Sequence, residues 1–274
     1  MIWQEAAPAK LNLALHVRHR RADGYHELDT IFAFTHFGDT LTAVAAPALS
    51  LTVAGPFGAA IEIRDNLVLR AAAALQTEAR YIAGAALSLD KRIPVAAGLG
   101  GGSADAAAAL RLLNRMWSLH WPAARLAGLA AELGADVPAC VVCGLLRGQG
   151  RGEIVTALGI PAVAGTPVLL VNPRVAVSTG PVFAAWDGVD RGAIDLEMPL
   201  GALRNDLEPA ARGIAPVIAL CLAALERSEA TLVRMSGSGA TCFALYDSVP
   251  ACAAAGAQIA AEHPAWWVQE TTLA

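Results

Sequence analysis

Pro94-Val95-Ala96-Ala97-Gly98-Leu99-Gly100-Gly101-Gly102-Ser103-Ala104-Asp105 is the stretch on which the reading of this chain turns. Four of the five positions 98–102 are glycine, so only Leu99 carries a Cβ there. Such a backbone reaches unusual φ angles and lets its amides approach a ligand closely. An Ala- and Leu-rich run follows at once, from Ala104 to about Leu119, and reads as a helix. The first-turn amides of a helix have no intrahelical partner, and its dipole is positive at that end. A glycine loop feeding a helix N-terminus is a phosphate cradle. The alternative is a tight strand-to-helix turn, for which four glycines are more than a turn needs. No Gly-Lys-Ser/Thr follows, so this is not a Walker A loop. The Rossmann fingerprint also fails, because its third glycine position is Ser103 and no acidic residue lies near 20 positions on. Ser103 can cap the helix, bind a phosphate oxygen, or do both. Asp105 reads as a helix-dipole partner rather than a catalyst.

Outward from the loop, Ala85 to Asp90 reads as a strand and Ala123 to Leu133 as a helix stopped at Gly134. Leu49 to Val53 is an alternating strand. Asp65-Asn66 caps a helix from Leu67 to about Arg80. Near the start, Leu11, Leu13, Leu15 and Val17 alternate with Asn12, Ala14, His16 and Arg18, which predicts a half-buried strand over residues 9–19. Beyond about residue 152 the pattern resets. Val168 to Val171 is a buried strand, Pro216 to Arg227 a helix and Val249 to Glu262 a final helix. Strands at Leu232–Met235 and Cys242–Tyr246 flank Gly237-Ser238-Gly239. Strands and helices alternate without regular βαβ spacing, which favours α+β over a doubly wound sheet. The expected division is into residues 1–155 and 156–274.

The 274 residues carry a formal net charge of -4, which argues against bulk nucleic-acid binding. The five cysteines are an odd count in a chain that is not small, so a disulfide framework is not expected, and the expected location is the cytoplasm. Cys140 and Cys143 form a C-x-x-C with apolar flanks and no second pair, and read as structural thiols rather than a zinc or redox site. The uncharged stretches Thr40–Ile61 and Ile154–Pro173 are broken by prolines and glycines, including Gly159 and Pro161, and do not read as membrane spans. The only lysines are Lys10 and Lys91, against eighteen arginines, and both fall inside motifs. A site that needs a compact ammonium would retain them.

Three further segments can carry chemistry. Lys10 and Asn12 lie two apart and so share one face of their strand, where they can hold an anion and a hydroxyl or simply form a wet face. Tyr25-His26 follows an Asp-Gly turn and can stack on and hydrogen-bond a planar ring, or pack as ordinary loop. Asp136 lies between the end of a helix and an apolar run, where a carboxylate requires a partner. Lys10 is the natural candidate, and turn hydrogen bonds are the alternative.

The run from Pro94 to Asp105 resembles the P-x-x-x-G-L-G-S/G-S-S/A loop of the GHMP kinases, which include galacto-, homoserine and mevalonate kinases. Pro8-Ala9-Lys10-Leu11-Asn12-Leu13 followed by Arg20-Arg21-Ala22-Asp23-Gly24-Tyr25-His26 resembles, more narrowly, the diphosphocytidyl-methylerythritol kinases of non-mevalonate isoprenoid synthesis. Leu133-Gly134-Ala135-Asp136-Val137-Pro138, Asp65-Asn66-Leu67, Val177-Ser178-Thr179 with Phe183, Asn205-Asp206-Leu207-Glu208 and Gly237-Ser238-Gly239-Ala240 follow the same pattern in order. The resemblance implies an α+β, two-domain GHMP kinase fold, its N-terminal domain ribosomal-protein-S5-domain-2-like and its C-terminal domain a ferredoxin-like α/β sandwich. ATP and substrate are expected in the cleft between the domains. It implies Asp136 as general base and Lys10 as its charge partner. ATP is expected at Asn66 (adenine), Lys91, Pro94, Gly98, Leu99, Gly100, Gly101, Gly102, Ser103, Ala104, Gly237 and Ser238. A cytidyl diphosphate substrate is expected at Asn12, Tyr25, His26, Thr179 and Phe183, with Phe183 stacked on the cytosine. Mg²⁺ would bridge the ATP phosphates, and no acidic cluster stands out to hold it. No nucleic acid and no membrane partner is expected, and the chain reads as a monomer or weak homodimer. Ala96-Ala97 replaces the family's usual glycines, and Ala104 replaces a common second serine together with its phosphate contact. Asn205-Asp206-Leu207-Glu208 reads as structural. The alternatives are another GHMP kinase of homoserine or mevalonate type, and an RNA-binding module, because part of this fold is shared with a ribosomal-protein domain.

Overall fold

A computed structural model describes residues 1–159 and 163–274; Pro161, one of the interruptions noted above, lies outside the described residues. The chain forms two compact units from interleaved segments. The first comprises Met1–Lys10, Gly38–Val95 and Gly100–Cys143, and the second Leu11–Phe37, Ala96–Leu99 and Gly144–Ala274. Strands β1 (Trp3–Arg20) and β2 (His26–Ala46) each contribute residues to both units, and the glycine loop does the same.

In the first unit, β3 (Ser50–Ala54) lies parallel to β4 (Gly84–Asp90), and β4 runs antiparallel to the second half of β2, from Thr40 opposite Asp90 to Ala46 opposite Gly84. Four helices accompany this sheet: α1 (Leu67–Glu78), α2 (Gly101–Met116), α3 (Ala123–Ala130) and α4 (Val137–Val142). Asn66 starts α1 by accepting a hydrogen bond from Val68 N at 2.9 Å, which satisfies one orphan amide. Val68, Ala71, Ala72 and Leu75 of α1 are fully buried, as are Ala106 to Leu110 of α2. The alanines bring these two helices close together. Helix α2 starts at Gly101, inside the glycine run and three residues before Ala104. Gly100 is its N-cap, at φ 63. Ser103 is therefore a first-turn residue and not the cap. Helix α3 ends at Ala130, short of Leu133, and α1 ends at Glu78, two residues before Arg80, which turns left-handed at φ 51.

In the second unit, Leu28–Phe32 of β2 pairs antiparallel with β5 (Leu146–Gly150), which pairs with β6 (Ile154–Ala157). A four-stranded antiparallel sheet runs β10 (Trp267–Thr272), β7 (Pro167–Asn172), β9 (Cys242–Leu245), β8 (Leu232–Met235). Helices α5 (Thr179–Ala184), α6 (Glu208–Ile214), α7 (Val217–Glu226) and α8 (Val249–Glu262) belong to the same unit. Leu169, Val171, Ile218, Leu225, Cys242 and Ile259 form its core.

One expectation is corrected. β1 is not half-buried: every residue from Ala9 to Val17 is buried, including Lys10, Asn12 and His16 at 3%, 2% and 1% exposure. Its polar face is covered by protein, so those polar atoms need protein partners. No helix among the described residues is long and apolar enough to cross a membrane. The five cysteines are all free thiols. Burial pushes the Cys140 thiol well above its ordinary range, as befits a core residue.

Candidate active site

The glycine loop takes its shape from positions where a side chain has no room. A Cβ on Gly98 would sit 2.4 Å from Ser236 O and 2.7 Å from Gly239 O, and the residue's φ is +75. A Cβ on Gly100 would meet Lys10 Cε at 3.0 Å. Ala96 is also left-handed, at φ 52, so this alanine holds a backbone geometry that glycine adopts without strain. At the head of α2 the first helical hydrogen bond runs from Ala104 N to Gly100 O at 2.8 Å. The amides of Gly101, Gly102 and Ser103 precede it and lie at the positive end of the helix. Gly102 is exposed and Gly101 and Ser103 half-buried, whereas Pro94, Leu99 and Ala104 are buried. Pro94, Leu99 and Ala104 thus shape the loop through backbone and core packing.

Lys10 and Asp136 meet beneath this loop. Lys10 Nζ lies 3.1 Å from Asp136 Oδ2, with the lysine side chain 4% exposed and the aspartate side chain 35%. Asp136 sits at the N-cap position of α4 but makes no capping bond with its carboxylate, which is turned to Lys10. Asp136 Oδ2 would lie 3.8 Å from a Cβ on Gly100. A partly exposed carboxylate, charge-paired from its buried side and adjacent to a phosphate cradle, has the makings of a general base.

Lys91 approaches the loop from below. Its ammonium lies 2.6 Å from Asp39 Oδ2 and 2.5 Å from Asp105 Oδ2, and a Cβ on Gly101 would be 3.0 Å from it. Burial pulls its pKa down, but the two carboxylates outweigh that and hold it above the ordinary value. Asn66, expected at the adenine, spends its Oδ1 on capping α1 and its Nδ2 on Glu62 O at 3.2 Å.

In the second unit, the other side of the loop is tied to the C-terminal glycine turn. Asn12 N donates to Ser236 Oγ at 3.2 Å, Ser236 Oγ donates to Gly98 O at 2.9 Å, and Thr241 N donates to Ala97 O at 3.1 Å. Asn12 Nδ2 donates to Thr30 Oγ1 at 2.8 Å. Gly237 is left-handed at φ 57, and the Ser238 hydroxyl lies 3.1 Å from that of Thr179. Elsewhere in this unit the His26 ring lies 5.0 Å from Phe183 and 5.7 Å edge-on from Trp186. Burial, then the charge of Arg20, lowers the His26 pKa below 6.5, so the ring is neutral at pH 7. A neutral imidazole offers one donor and one acceptor, which matches the edge of a cytosine. Tyr25 is 54% exposed beneath the guanidinium of Arg151, 4.9 Å from the ring centroid.

The family model described as GHMP kinases N terminal domain matches residues 66–144, and GHMP kinases C terminal matches residues 190–261. A 4-diphosphocytidyl-2-C-methyl-D-erythritol kinase from Rhizorhabdus wittichii is 53% identical over 270 residues, covering 96% of this chain and 92% of its own length. The chain belongs to this family of GHMP kinases. A crystal structure of a 4-(cytidine 5'-diphospho)-2C-methyl-D-erythritol kinase superposes with a TM-score of 0.84 at 33% identity, covering 98% of both chains. The expected α+β GHMP kinase fold is therefore the one found. A homoserine kinase from Cytophaga hutchinsonii superposes with a TM-score of 0.76 over 99% of this chain and 95% of its own, but at 17% identity, a likeness of fold alone.

The Asn205–Glu208 segment, read from the sequence as structural, makes structural bonds, whereas Asp39 and Trp186 went unmarked. Asn205 Nδ2 donates to Met235 O and Gly237 O, both at 2.8 Å, and its Oδ1 accepts from Leu207 N. Asp206 Oδ2 accepts from Val17 N at 2.9 Å. The Asn205–Glu208 motif is thus a brace for β1 and the C-terminal glycine turn. Asp39 and Trp186 carry no motif, and nothing along the chain marks them.

Proposed function

We propose that this chain transfers the γ-phosphate of ATP to the 2-hydroxyl of 4-diphosphocytidyl-2-C-methyl-D-erythritol, giving the 2-phosphate and ADP. The step belongs to non-mevalonate isoprenoid precursor synthesis, in the cytoplasm, by a monomer or weak homodimer. The observation that carries the reading is the Lys10–Asp136 pair, 3.1 Å apart beneath the glycine loop. Asp136 accepts the proton of the attacking hydroxyl. Lys10, paired with it at 3.1 Å, orients the carboxylate and offsets phosphate charge. The amides of Gly101, Gly102 and Ser103 hold phosphate oxygens at the helix N-terminus, within a loop set by Pro94, Gly98, Leu99, Gly100 and Ala104. Asn66 is assigned to the adenine, Lys91 to the support of the loop from below, and Gly237 and Ser238 to phosphate oxygens. Such catalysis is mostly positioning and charge neutralisation.

His26 reads the cytosine edge, Tyr25 and Phe183 supply stacking faces, Thr179 contacts the remainder of the cytidyl substrate, and Asn12, buried against Thr30 and Ser236, supports the substrate side from within. The two family domains divide at residues 155/156. Among the described residues no group of three His, Cys, Asp or Glu could hold a metal ion. The carboxylates around the loop, Asp39, Asp105 and Asp136, are each paired with a lysine. Mg²⁺ would enter as part of MgATP and offset phosphate charge there.

A coupled ADP-release assay with ATP and a panel of alcohols tests this. Turnover is expected with the cytidyl substrate and not with homoserine or mevalonate. Turnover with either of those, and none with the cytidyl compound, would overturn the assignment.

A further inference from the structure

The glycine loop is flexible by composition, and something must fix its ends. Asp39, in β2, does so at the entrance: its Oδ1 accepts from Arg92 N at 2.5 Å and from Ile93 N at 2.8 Å. Its Oδ2 takes the Lys91 ammonium at 2.6 Å. Lys91 in turn reaches Asp105 Oδ2 at 2.5 Å, on the fifth residue of α2, beyond the exit. One ammonium thus joins the two chain segments that flank residues 94–100. All three side chains are buried, at 1%, 2% and 3% exposure for Asp39, Lys91 and Asp105.

The charge count is uneven. Fully ionised, the triad carries one net negative charge, buried directly under Gly101, where a polyanion must sit. Asp105 Oδ1 is buried without a hydrogen-bond partner, so its second oxygen has nothing to stabilise an ionised form. Burial pushes the Asp105 pKa up to about 8; Lys91 opposes this and the Asp39 charge adds to it. Asp39 and Lys91 are the charged groups that act on Asp105. Of the helices packed on α2, α4 carries only the buried Cys140 as an ionisable group. Arg70 and Glu78 of α1 and Arg125 of α3 are engaged with Asp65 and with each other at the surface.

We propose that Asp39, Lys91 and Asp105 are positioning residues for the nucleotide, clamping both ends of the glycine loop, and that the triad carries one proton when the loop holds phosphates. The proposal rests on the reading of that loop as the ATP cradle. The proton comes from solvent and sits on Asp105, which leaves the triad neutral beneath the anion. Above pH 8 the proton is lost from the free protein, and ATP must bind against a buried negative charge.

The test is ATP affinity by titration calorimetry from pH 7 to 9.5, on wild type and Asp105→Asn. Asparagine keeps the shape of a protonated aspartate. Wild-type affinity should fall by about tenfold across the upper part of that range, one proton being linked to binding. The variant should stay within about twofold. Calorimetry at pH 8.5 in buffers of different ionisation enthalpy should show wild type taking up a substantial fraction of one proton per ATP. The nucleotide's own phosphate, with a second pKa near ~6, supplies none there. A purely structural triad would lower the variant's melting temperature and leave both slopes alike. Equal slopes would overturn the proposal, and no proton uptake by wild type would overturn it even if the variant failed to fold. Absence of ATP binding at every pH would sink the cradle reading itself, along with the triad.

Discussion

Asp136→Asn keeps the shape of the side chain and removes both its charge and its basicity. At 3.1 Å the Lys10–Asp136 attraction is worth about 5 kcal/mol at an effective dielectric near 20. Asp136 is one-third exposed, however, so water screens the pair and competes for both charges. The stability loss should therefore be about 1–2 kcal/mol, a melting-temperature drop of roughly 2–8 °C for a chain this long. A positioned general base contributes roughly 10²–10⁴ in rate, or about 3–5 kcal/mol. The catalytic effect is the larger, so the variant should fold, bind both substrates and fail to turn over. Coupled ADP release should give a kcat lower by 10²–10⁴, with KM for ATP and for the cytidyl substrate within about threefold of wild type. A well-folded variant with kcat within tenfold of wild type would remove Asp136 as the base.

Phe183→Ala should raise KM for the cytidyl substrate by roughly 5–150-fold, the worth of one base-on-aromatic stack, and leave KM for ATP nearly unchanged; equal effects on both would contradict the stacking role. Gly98→Ala drives a Cβ to 2.4 Å from Ser236 O at a left-handed φ, whereas Gly102→Ala meets only Leu67 Cδ1 at 3.6 Å. Thermal melting should show the first destabilised by about 2 kcal/mol or more and the second by under about 1, with ATP affinity reduced in both; equal melting would refute the packing argument. His26 has a folded pKa below 6.5, so the unfolded chain takes up its proton first as pH falls. Its contribution to stability is complete above pH 6.5 and is lost below it, and KM for the cytidyl substrate should rise only below that pH. His26→Gln should abolish this acid limb, and an unchanged pH profile would remove His26 from cytosine recognition.

What could be read along the chain was chemistry between near neighbours. The glycines of 98–102 announce a bare backbone, Asn66 announces the start of α1, and Val249–Glu262 is the helix its pattern predicts. These are decided by local dihedral preference and by amides a few residues away. What only tertiary structure decided was which distant groups meet. Lys91 lies 52 residues from Asp39, and Asn12 lies 224 from Ser236, separations at which no local pattern carries information. The polar face of β1 read as wet because alternation reports polarity, whereas burial depends on what is folded over it. Helix α2 begins among glycines that propensity counts as loop, because an N-terminal turn stabilised by its surroundings does not need good helix formers.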